Sequence, residues 1–205
     1  MKYEKSVTLK NGKTCIIRSA TGTDAAQVYD NFNQTHGETD YLLTYPDENS
    51  MNIEQERQFL MQKDESSDEI EICAVIDGRI AGTAGIESVG RKDKVKHRAE
   101  FGISIEKEYW GEGIGRALTQ ACIECAGEAG YAQLELDVVS TNERAVSLYK
   151  SVGFIEYGRN PRGFCSRSSG FQELILMRLE LKAQTGRAAG EKTDGYYQNK
   201  RTCGI

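Results

Sequence analysis

Long apolar runs are absent from this 205-residue sequence. No stretch approaches the ~18 apolar residues that a membrane-spanning helix requires, so we expect no transmembrane segment and no membrane partner. Residues 1–13 are polar and lack the apolar h-region of a secretory signal, so we expect no signal peptide. An apolar fraction of 39% and a charged fraction of 28% are typical of a globular domain with a core of its own.

The sequence also has no excess of positive charge and only two histidines. The 31 Asp and Glu residues outnumber the 26 Lys and Arg residues, which gives a net charge of −5. A nucleic-acid-binding domain normally presents a basic face, so we expect no nucleic-acid partner. The two histidines, His36 and His97, are too few and too far apart in the sequence for a metal site, so no metal is expected.

Paired cysteine motifs are limited to one C-x-x-C, formed by Cys122 and Cys125. A zinc site of this kind needs a second pair, which the sequence does not contain. The two residues are three apart in a helical pattern and share one face, so we interpret both thiols as packing groups. Six scattered cysteines fit a reduced, cytoplasmic protein, and cytoplasmic is the predicted location.

Apolar periodicity divides the chain into strands and helices. Alternating β-branched segments predict strands, and Asp77-Gly78 predicts a hairpin turn between two of them. Three strands followed by a β-α-β-α-β order predict an α/β fold, with a mixed central sheet, a parallel βαβ crossover and helices on both faces. The predicted strands are 13–20, 70–77, 78–90, 97–106, 132–140, 153–160 and 171–181, and the predicted helices are 25–34, 52–64, 114–130 and 141–153.

These elements are expected to form one domain, 1–182. The remaining residues, 183–205, show no apolar periodicity, and we interpret them as a flexible C-terminal tail. Ser140 and Glu143 fit a capping box for the helix at 141–153. The residues between the last two predicted strands are interpreted as a loop.

Three glycines at alternate positions, Gly111, Gly113 and Gly115, lie between a predicted strand and a predicted helix. Glycine permits unusual dihedrals and the close approach of a ligand, and the N–H groups at a helix start attract anions. The turn is therefore either a phosphate cradle or a tight turn packed against the sheet. Its spacing fails the P-loop and dinucleotide patterns, although Asp137 ends the next strand near where a ribose-binding acid would lie.

An acyl-CoA-binding pattern, [Q/R]-x-x-G-x-[G/A], fits this turn at all positions except the first, where Trp110 replaces Gln or Arg and leaves the role of that side chain open. One strand later the chain contains the series Asn-x-x-Ala-x-x-x-Tyr-x-x-x-Gly-Phe. With both motifs in this order, the chain from about 14 to 181 resembles the GNAT N-acetyltransferase superfamily. Tyr-Trp-Gly at 109–111 is similar to its branch of ribosomal-protein N-terminal acetyltransferases. The second series consists of Asn142, Ala145, Tyr149, Gly153 and Phe154.

The resemblance implies a mostly antiparallel central sheet and acetyl-CoA as the cosubstrate, held largely by main-chain groups. It also implies that Asn142 contacts the CoA arm and that Tyr149 protonates the departing thiolate. Arg116 is a candidate for a phosphate contact, whereas Glu112 is expected to point to solvent. The predicted cofactor-binding residues are Ile103, Ser104, Ile105, Trp110, Gly111, Glu112, Gly113, Ile114, Gly115, Arg116 and Asn142.

The predicted activity is transfer of an acetyl group from acetyl-CoA to a primary amine, directly and through a tetrahedral intermediate. The amine is a protein N-terminus, a lysine, a polyamine or a small amine, with contacts expected from 35–45 and 160–170. The base is Glu100 or Asp137; Glu100 ranks slightly ahead because Asp is one methylene shorter. A non-catalytic acyl-CoA sensor is the alternative, a dinucleotide oxidoreductase is a distant third, and a homodimer stays open.

Overall fold

The computed structural model describes residues 1–181, which form eight strands and four α-helices. The predicted tail, 183–205, lies outside the described residues. Within the described part, no helix combines the length and apolarity needed to cross a membrane. The strands are β1 (Glu4–Thr8), β2 (Thr14–Ser19), β3 (Ile70–Ile76), β4 (Arg79–Ser88), β5 (Arg98–Ile105), β6 (Gln133–Val139), β7 (Ile155–Ser166) and β8 (Gly170–Glu180), and the helices are α1 (Ala25–Glu38), α2 (Ile53–Glu65), α3 (Ile114–Ala129) and α4 (Glu143–Ser151).

The eight strands form a single sheet in the order β1-β2-β3-β4-β5-β6-β8-β7. Every neighbouring pair is antiparallel except β5 and β6, which are parallel and are connected through α3. Parallel strands need such a long connection, because the chain must return to the same end of the sheet. The predicted mixed, mostly antiparallel sheet with one βαβ crossover is therefore confirmed.

Helices cover both faces of the sheet, as predicted. Along β3, Ile72 and Ala74 belong to the main core with residues of α3 and α4. Cys73 and Val75 lie in a second core with residues of α1 and α2. Successive strand residues point to opposite faces, so a strand buried on both sides reads as continuously apolar. We call the side of α3 and α4 the first face and the side of α1 and α2 the second face.

Local sequence signals located the central elements correctly. The turn between β3 and β4 uses Asp77 and Gly78, both with positive φ, and α3 ends at Gly130 in the left-handed conformation. Cys122 and Cys125 are fully buried on α3, which confirms their interpretation as packing groups. Burial raises the pKa of Cys125 to about 12, so this thiol stays protonated at neutral pH.

The edge strands were predicted incompletely. Strand β1 lies in the segment interpreted only as polar, and four of its five residues are exposed. An edge strand is held by main-chain hydrogen bonds on one side, so it needs little apolar alternation. At the opposite edge, β7 and β8 extend through most of the predicted loop and leave only 167–169 as a turn. Most residues of β7 are exposed as well, which hid the strand for the same reason.

Helix α1 continues to Glu38, beyond its predicted end at residue 34. The added turn buries two polar residues, Thr35 and His36, instead of apolar ones. The Thr35 hydroxyl donates to the carbonyl oxygen of Asn31 at 2.8 Å, and the His36 ring stacks on Phe32 with centroids 3.7 Å apart. Because these side chains find partners within the helix, the extension gives no apolar signal.

The N-cap of α4 is Asn142, whose side-chain oxygen accepts a hydrogen bond from the Ala145 N–H at 3.3 Å. The predicted capping box of Ser140 and Glu143 is therefore wrong. Asn is among the strongest N-cap residues, since its short side chain reaches the free N–H groups of the first turn. The cap fixes the orientation of Asn142 at the end of β6.

A substitution at Gly85 tests how closely β3 and β4 pack on the second face. A Cβ at this position would collide with the buried carboxylate of Glu71 and would lie 3.1 Å from the carbonyl oxygen of Ile70. We expect Gly85→Ala to lower the free energy of unfolding by about 1–3 kcal/mol, as overpacked sites do, in urea unfolding. The control is Gly127→Ala in α3, where the added Cβ meets nothing within 4 Å and should stabilise by about 0.5–1 kcal/mol. An unchanged midpoint for Gly85→Ala would contradict this packing.

Candidate active site

Strands β5 and β6 separate after three paired positions. They pair only over 98–100 and 133–135, although β5 continues to Ile105 and β6 continues to Val139. On its other side, β5 stays paired with β4 as far as Ile105. The predicted cofactor-binding segment 103–105 thus has main-chain groups on the β6 side that no described strand satisfies, and such groups need another partner. We call the space between the diverging strands the gap.

The glycine turn lies where β5 leads into α3, at the mouth of the gap. Gly111 has φ of 91° and Gly113 has φ of 102°, a conformation that favours glycine. Gly113 is the N-cap of α3 and provides no side-chain cap, so the first N–H groups of the helix remain for a ligand. Gly115 serves packing instead, because a Cβ there would lie 3.1 Å from Leu148 of α4. The Ile114 side chain is buried in the main core, which leaves only its main chain for the turn.

The hairpin between β1 and β2 supports this turn through Glu112. The Lys10 N–H donates to the Glu112 carbonyl oxygen at 3.1 Å, and the Asn11 N–H donates to the Glu112 carboxylate at 3.0 Å. The carboxylate that was expected to point to solvent therefore accepts a backbone hydrogen bond at an exposed position. The donor is a backbone N–H in the turn between β1 and β2. The sequence pattern predicted only β2 of these two strands.

Trp110 has a structural role that the motif comparison left open. Its indole Nε1–H donates to the Ile105 carbonyl oxygen at 2.7 Å, which ties the end of β5 to the start of the turn. The guanidinium carbon of Arg144, from α4, lies 5.6 Å from the centroid of the indole ring. Arg144 was absent from the predicted site because it reads as an ordinary exposed helix residue. Arg116, which was predicted, donates to the Ser151 hydroxyl at 2.9 Å.

Tyr149 lies on the first face, in an aromatic cluster under the gap. It is only 4% exposed, and its ring centroid is 6.0 Å from Phe101 and 5.9 Å from Phe154. Burial raises the pKa of Tyr149 above its ordinary value, so the phenol keeps its proton at neutral pH. Asn142 begins the same helix, so the structure brings both predicted α4 residues to the β6 side of the gap.

The predicted acids lie on the second face. Their strand neighbours, such as Phe101 and Leu136, point into the main core, so Glu100, Glu135 and Asp137 point the other way. Burial opposes ionisation of Glu135, but hydrogen bonds from Arg98 and Gln133 outweigh it and hold its pKa below the usual value. For Asp137, burial and then the carboxylates of Glu100 and Glu135 all raise the pKa. The pKa values of Asp137 and Glu135 are therefore shifted in opposite directions.

Residues 39–45, which we call the crossing loop, run from the end of β5 to the end of β6. At the start, the carboxylate of Glu38 accepts a hydrogen bond from the Lys107 N–H at 2.6 Å. Further along, Tyr41 packs in a cluster with Val139, and its hydroxyl lies 3.5 Å from the Thr141 carbonyl oxygen. The crossing loop therefore borders the open end of the gap.

The crossing loop is fastened to the tip of the β7–β8 hairpin. The carboxylate of Asp40 accepts hydrogen bonds from Ser166, Ser168 and Tyr45, and these bonds lower its pKa. Arg167 lies over the Tyr45 ring with its guanidinium carbon 4.0 Å from the centroid. The two segments predicted to contact the acceptor, 35–45 and 160–170, are thus brought together.

Comparisons with known proteins agree with this geometry. A model described as the acetyltransferase (GNAT) family matches residues 27–154. The [ribosomal protein bS18]-alanine N-acetyltransferase of Escherichia coli is 33% identical over 81 residues, which cover 40% of this chain and 54% of that protein. The chain thus spans between 27% and 60% of the length of such curated relatives.

Solved structures agree over a longer part of the chain. A GNAT-family acetyltransferase from Streptococcus pneumoniae has a TM-score of 0.78 and 31% identity, and the match covers 82% of this chain and 99% of that one. The yncA protein of Salmonella typhimurium, solved with acetyl-CoA, has a TM-score of 0.73 at 19% identity over 86% and 99% of the two chains, and this likeness shows the fold alone. With the glycine turn and the gap in this arrangement, and a family model that matches the four central strands β3–β6 and both first-face helices, the chain belongs to the GNAT acetyltransferase family.

Proposed function

We propose that the chain is an acetyl-CoA-dependent N-acetyltransferase that acts on a primary amine. The observation that carries the proposal is the gap, with the glycine turn at its mouth, a buried tyrosine on one face and carboxylates on the other. The name of the Escherichia coli relative, an alanine N-acetyltransferase of a ribosomal protein, gives further support.

The residues around the gap fit acetyl-CoA, which combines phosphates at one end with a thioester on a narrow, amide-containing arm. The glycine turn and the first N–H groups of α3 suit the phosphates. The main chain at 103–105, which no described strand pairs on the β6 side and of which the Ile105 carbonyl oxygen already accepts the Trp110 indole N–H, suits the amides of the arm. When bound, acetyl-CoA supplies an activated acetyl group whose sulfur can leave as a thiolate. We therefore keep the predicted cofactor-binding residues as proposed contacts, with residues 110–115 acting through their main chain.

The acceptor amine is proposed to enter from the second face. Glu135 is held by Arg98, whereas Asp137 lies two residues beyond the last position at which β6 pairs with β5 and has a raised pKa. We propose Asp137 as the base, directly or through a water, with Glu100 as the alternative. An α-amine has a free pKa of about 8 and a lysine amine about 10, so a carboxylate deprotonates the former more readily. This favours a protein N-terminus as the acceptor.

In the proposed reaction, the amine nitrogen attacks the thioester carbonyl carbon and forms a tetrahedral intermediate. The amine proton passes to the carboxylate of Asp137, the carbon–sulfur bond breaks, and the sulfur keeps its electron pair. Because burial raises the pKa of Tyr149, its phenol is still protonated when negative charge builds on the sulfur and can donate to it. The two groups act from opposite faces, so acid and base do not neutralise each other.

Binding and turnover test the proposed function separately. We expect acetyl-CoA, but not NADP, to raise the melting temperature, because only a ligand of the folded state stabilises it. We also expect CoA thiol release with a peptide that carries a free N-terminal alanine, measured beside an N-terminally blocked lysine peptide and spermidine. Acetyl-CoA binding without release for any amine would favour the non-catalytic sensor. No stabilisation by acetyl-CoA would overturn the proposal.

Tyr149→Phe tests the proposed acid. The change keeps the ring in its aromatic cluster but removes the donor, so we expect kcat to fall by about 10²-fold or more. CoA affinity by calorimetry should stay within the error of the wild type.

A matched control is Tyr131→Phe. Tyr131 is also 4% exposed, but it precedes β6, at the end of that strand away from the gap. Its variant should retain wild-type kcat. Equal rates for the Tyr149→Phe and wild-type proteins would remove the acid role.

Asp137→Asn tests the proposed base through two opposite effects. We expect kcat/KM to fall by about 10²-fold and the melting temperature at pH 7 to rise. The folded state holds this carboxyl at a raised pKa, so ionised Asp137 costs stability, a cost that appears as the pH rises from the unfolded to the folded pKa. The stability gain should therefore vanish in acid, below both pKa values.

Glu135→Gln is the control with the opposite sign. Its folded pKa is lowered, so its ionised form adds stability at neutral pH that is lost as the pH falls through that pKa. This variant should melt earlier than wild type at pH 7. A loss of activity in Glu100→Gln, with Asp137→Asn unaffected, would transfer the base role to Glu100.

A further inference from the structure

We infer that Arg144 supplies a cation, in addition to Arg116, that binds the pyrophosphate of the CoA moiety, on a platform formed by Trp110. The inference rests on the proposed function, since it assigns a residue to the proposed acetyl-CoA site. Arg144 is the second residue of α4, so it lies in the first turn of the helix that follows β6. It reaches the glycine turn across the mouth of the gap.

Distance places the guanidinium directly over the turn. Its Nη2 atom would lie 2.9 Å from a Cβ built on Gly111. Gly111 therefore serves two purposes: its positive φ shapes the turn, and its missing side chain leaves room for the guanidinium. The charge of Arg144 and the first N–H groups of α3 thus converge on one small region, as a pyrophosphate requires.

Trp110 holds this arrangement in place. The guanidinium lies over the indole ring, a favourable cation–π geometry. The ring is fixed in turn by the hydrogen bond from its Nε1–H to the Ile105 carbonyl oxygen. Trp110 therefore acts as a positioning residue, because it orients Arg144 without needing to touch the phosphate.

The charge of Arg144 is not used by any ion pair found within residues 1–181. Several other arginines of that part are committed to carboxylates, for example Arg98 to Glu135 and Arg79 to Glu106, whereas Arg116 donates to the Ser151 hydroxyl and Arg162 lies over Phe171. An arginine without a carboxylate keeps its forked donors for bidentate contact with phosphate oxygens. Its exposure also means that Arg144 can be replaced without disturbing the core.

The test compares Arg144→Ala with wild type for three ligands: CoA, 3′-dephospho-CoA and pantetheine. Loss of a charged hydrogen-bonding group should weaken CoA and dephospho-CoA equally, by about 10- to 100-fold, and leave pantetheine unchanged. Trp110 is the single tryptophan of the chain, so its fluorescence reports binding at this position, with calorimetry as the second readout. Wild-type affinity for CoA should also fall more steeply with salt than that of the variant.

The matched control is Arg162→Ala. Arg162 also lies over an aromatic ring, 3.9 Å from the Phe171 centroid, but on the β7–β8 hairpin, and its variant should bind all three ligands as wild type does. Trp110→Ala should weaken CoA to a similar extent as Arg144→Ala, and the double variant should bind no more weakly than either single one.

Each other outcome overturns the assignment. A loss confined to CoA would move Arg144 to the 3′-phosphate, a loss shared by pantetheine would make its role structural, and unchanged affinities would remove it from the site. If wild type binds no CoA at all, the proposed function fails first, so the two failures are distinguishable.

Discussion

The separation of β5 and β6 is the constraint on which the rest of the site depends. Because the two parallel strands pair over only three positions, each leaves a free edge, and the chain leaves both strands beside the same opening. Helix α3 follows β5 and α4 follows β6, so their N-terminal ends meet there. The glycine turn, Asn142 and Arg144 are neighbours for this reason, although about thirty residues separate them in sequence.

The same opening separates two chemical environments. On the first face, Tyr149 lies in an aromatic cluster that keeps it protonated. On the second face, carboxylates from neighbouring strands lie close enough to raise the pKa of Asp137. Burial is the largest cause of both shifts, yet it favours a donor in one case and a stronger base in the other. The clustering of carboxylates on the second face costs stability, because like charges repel. The neighbouring ion pair between Arg98 and Glu135 offsets part of that cost.

Two aromatic–cation pairs organise the ends of the site. The guanidinium of Arg144 lies over the Trp110 ring beside the glycine turn, where phosphates are proposed to bind. The guanidinium of Arg167 lies over the Tyr45 ring, where the crossing loop meets the β7–β8 hairpin. The acceptor is proposed to enter on this side. Each pair joins segments distant in sequence, and each tyrosine or tryptophan also uses its polar atom in a hydrogen bond to the backbone or to Asp40.

The sequence by itself determined what depends on neighbouring residues. Helix periodicity located α3, the Asp77-Gly78 turn located the β3–β4 hairpin, and the two short motifs indicated the family through residue types at fixed spacing. The tertiary structure decided the rest: the polar edge strand β1, the contact of Arg144 with Gly111, the engagement of Glu112, and the different surroundings of Glu135 and Asp137. These features arise between segments far apart in the chain, and short-range patterns carry no information about such contacts, because burial and charge at a residue depend on which distant elements pack against it.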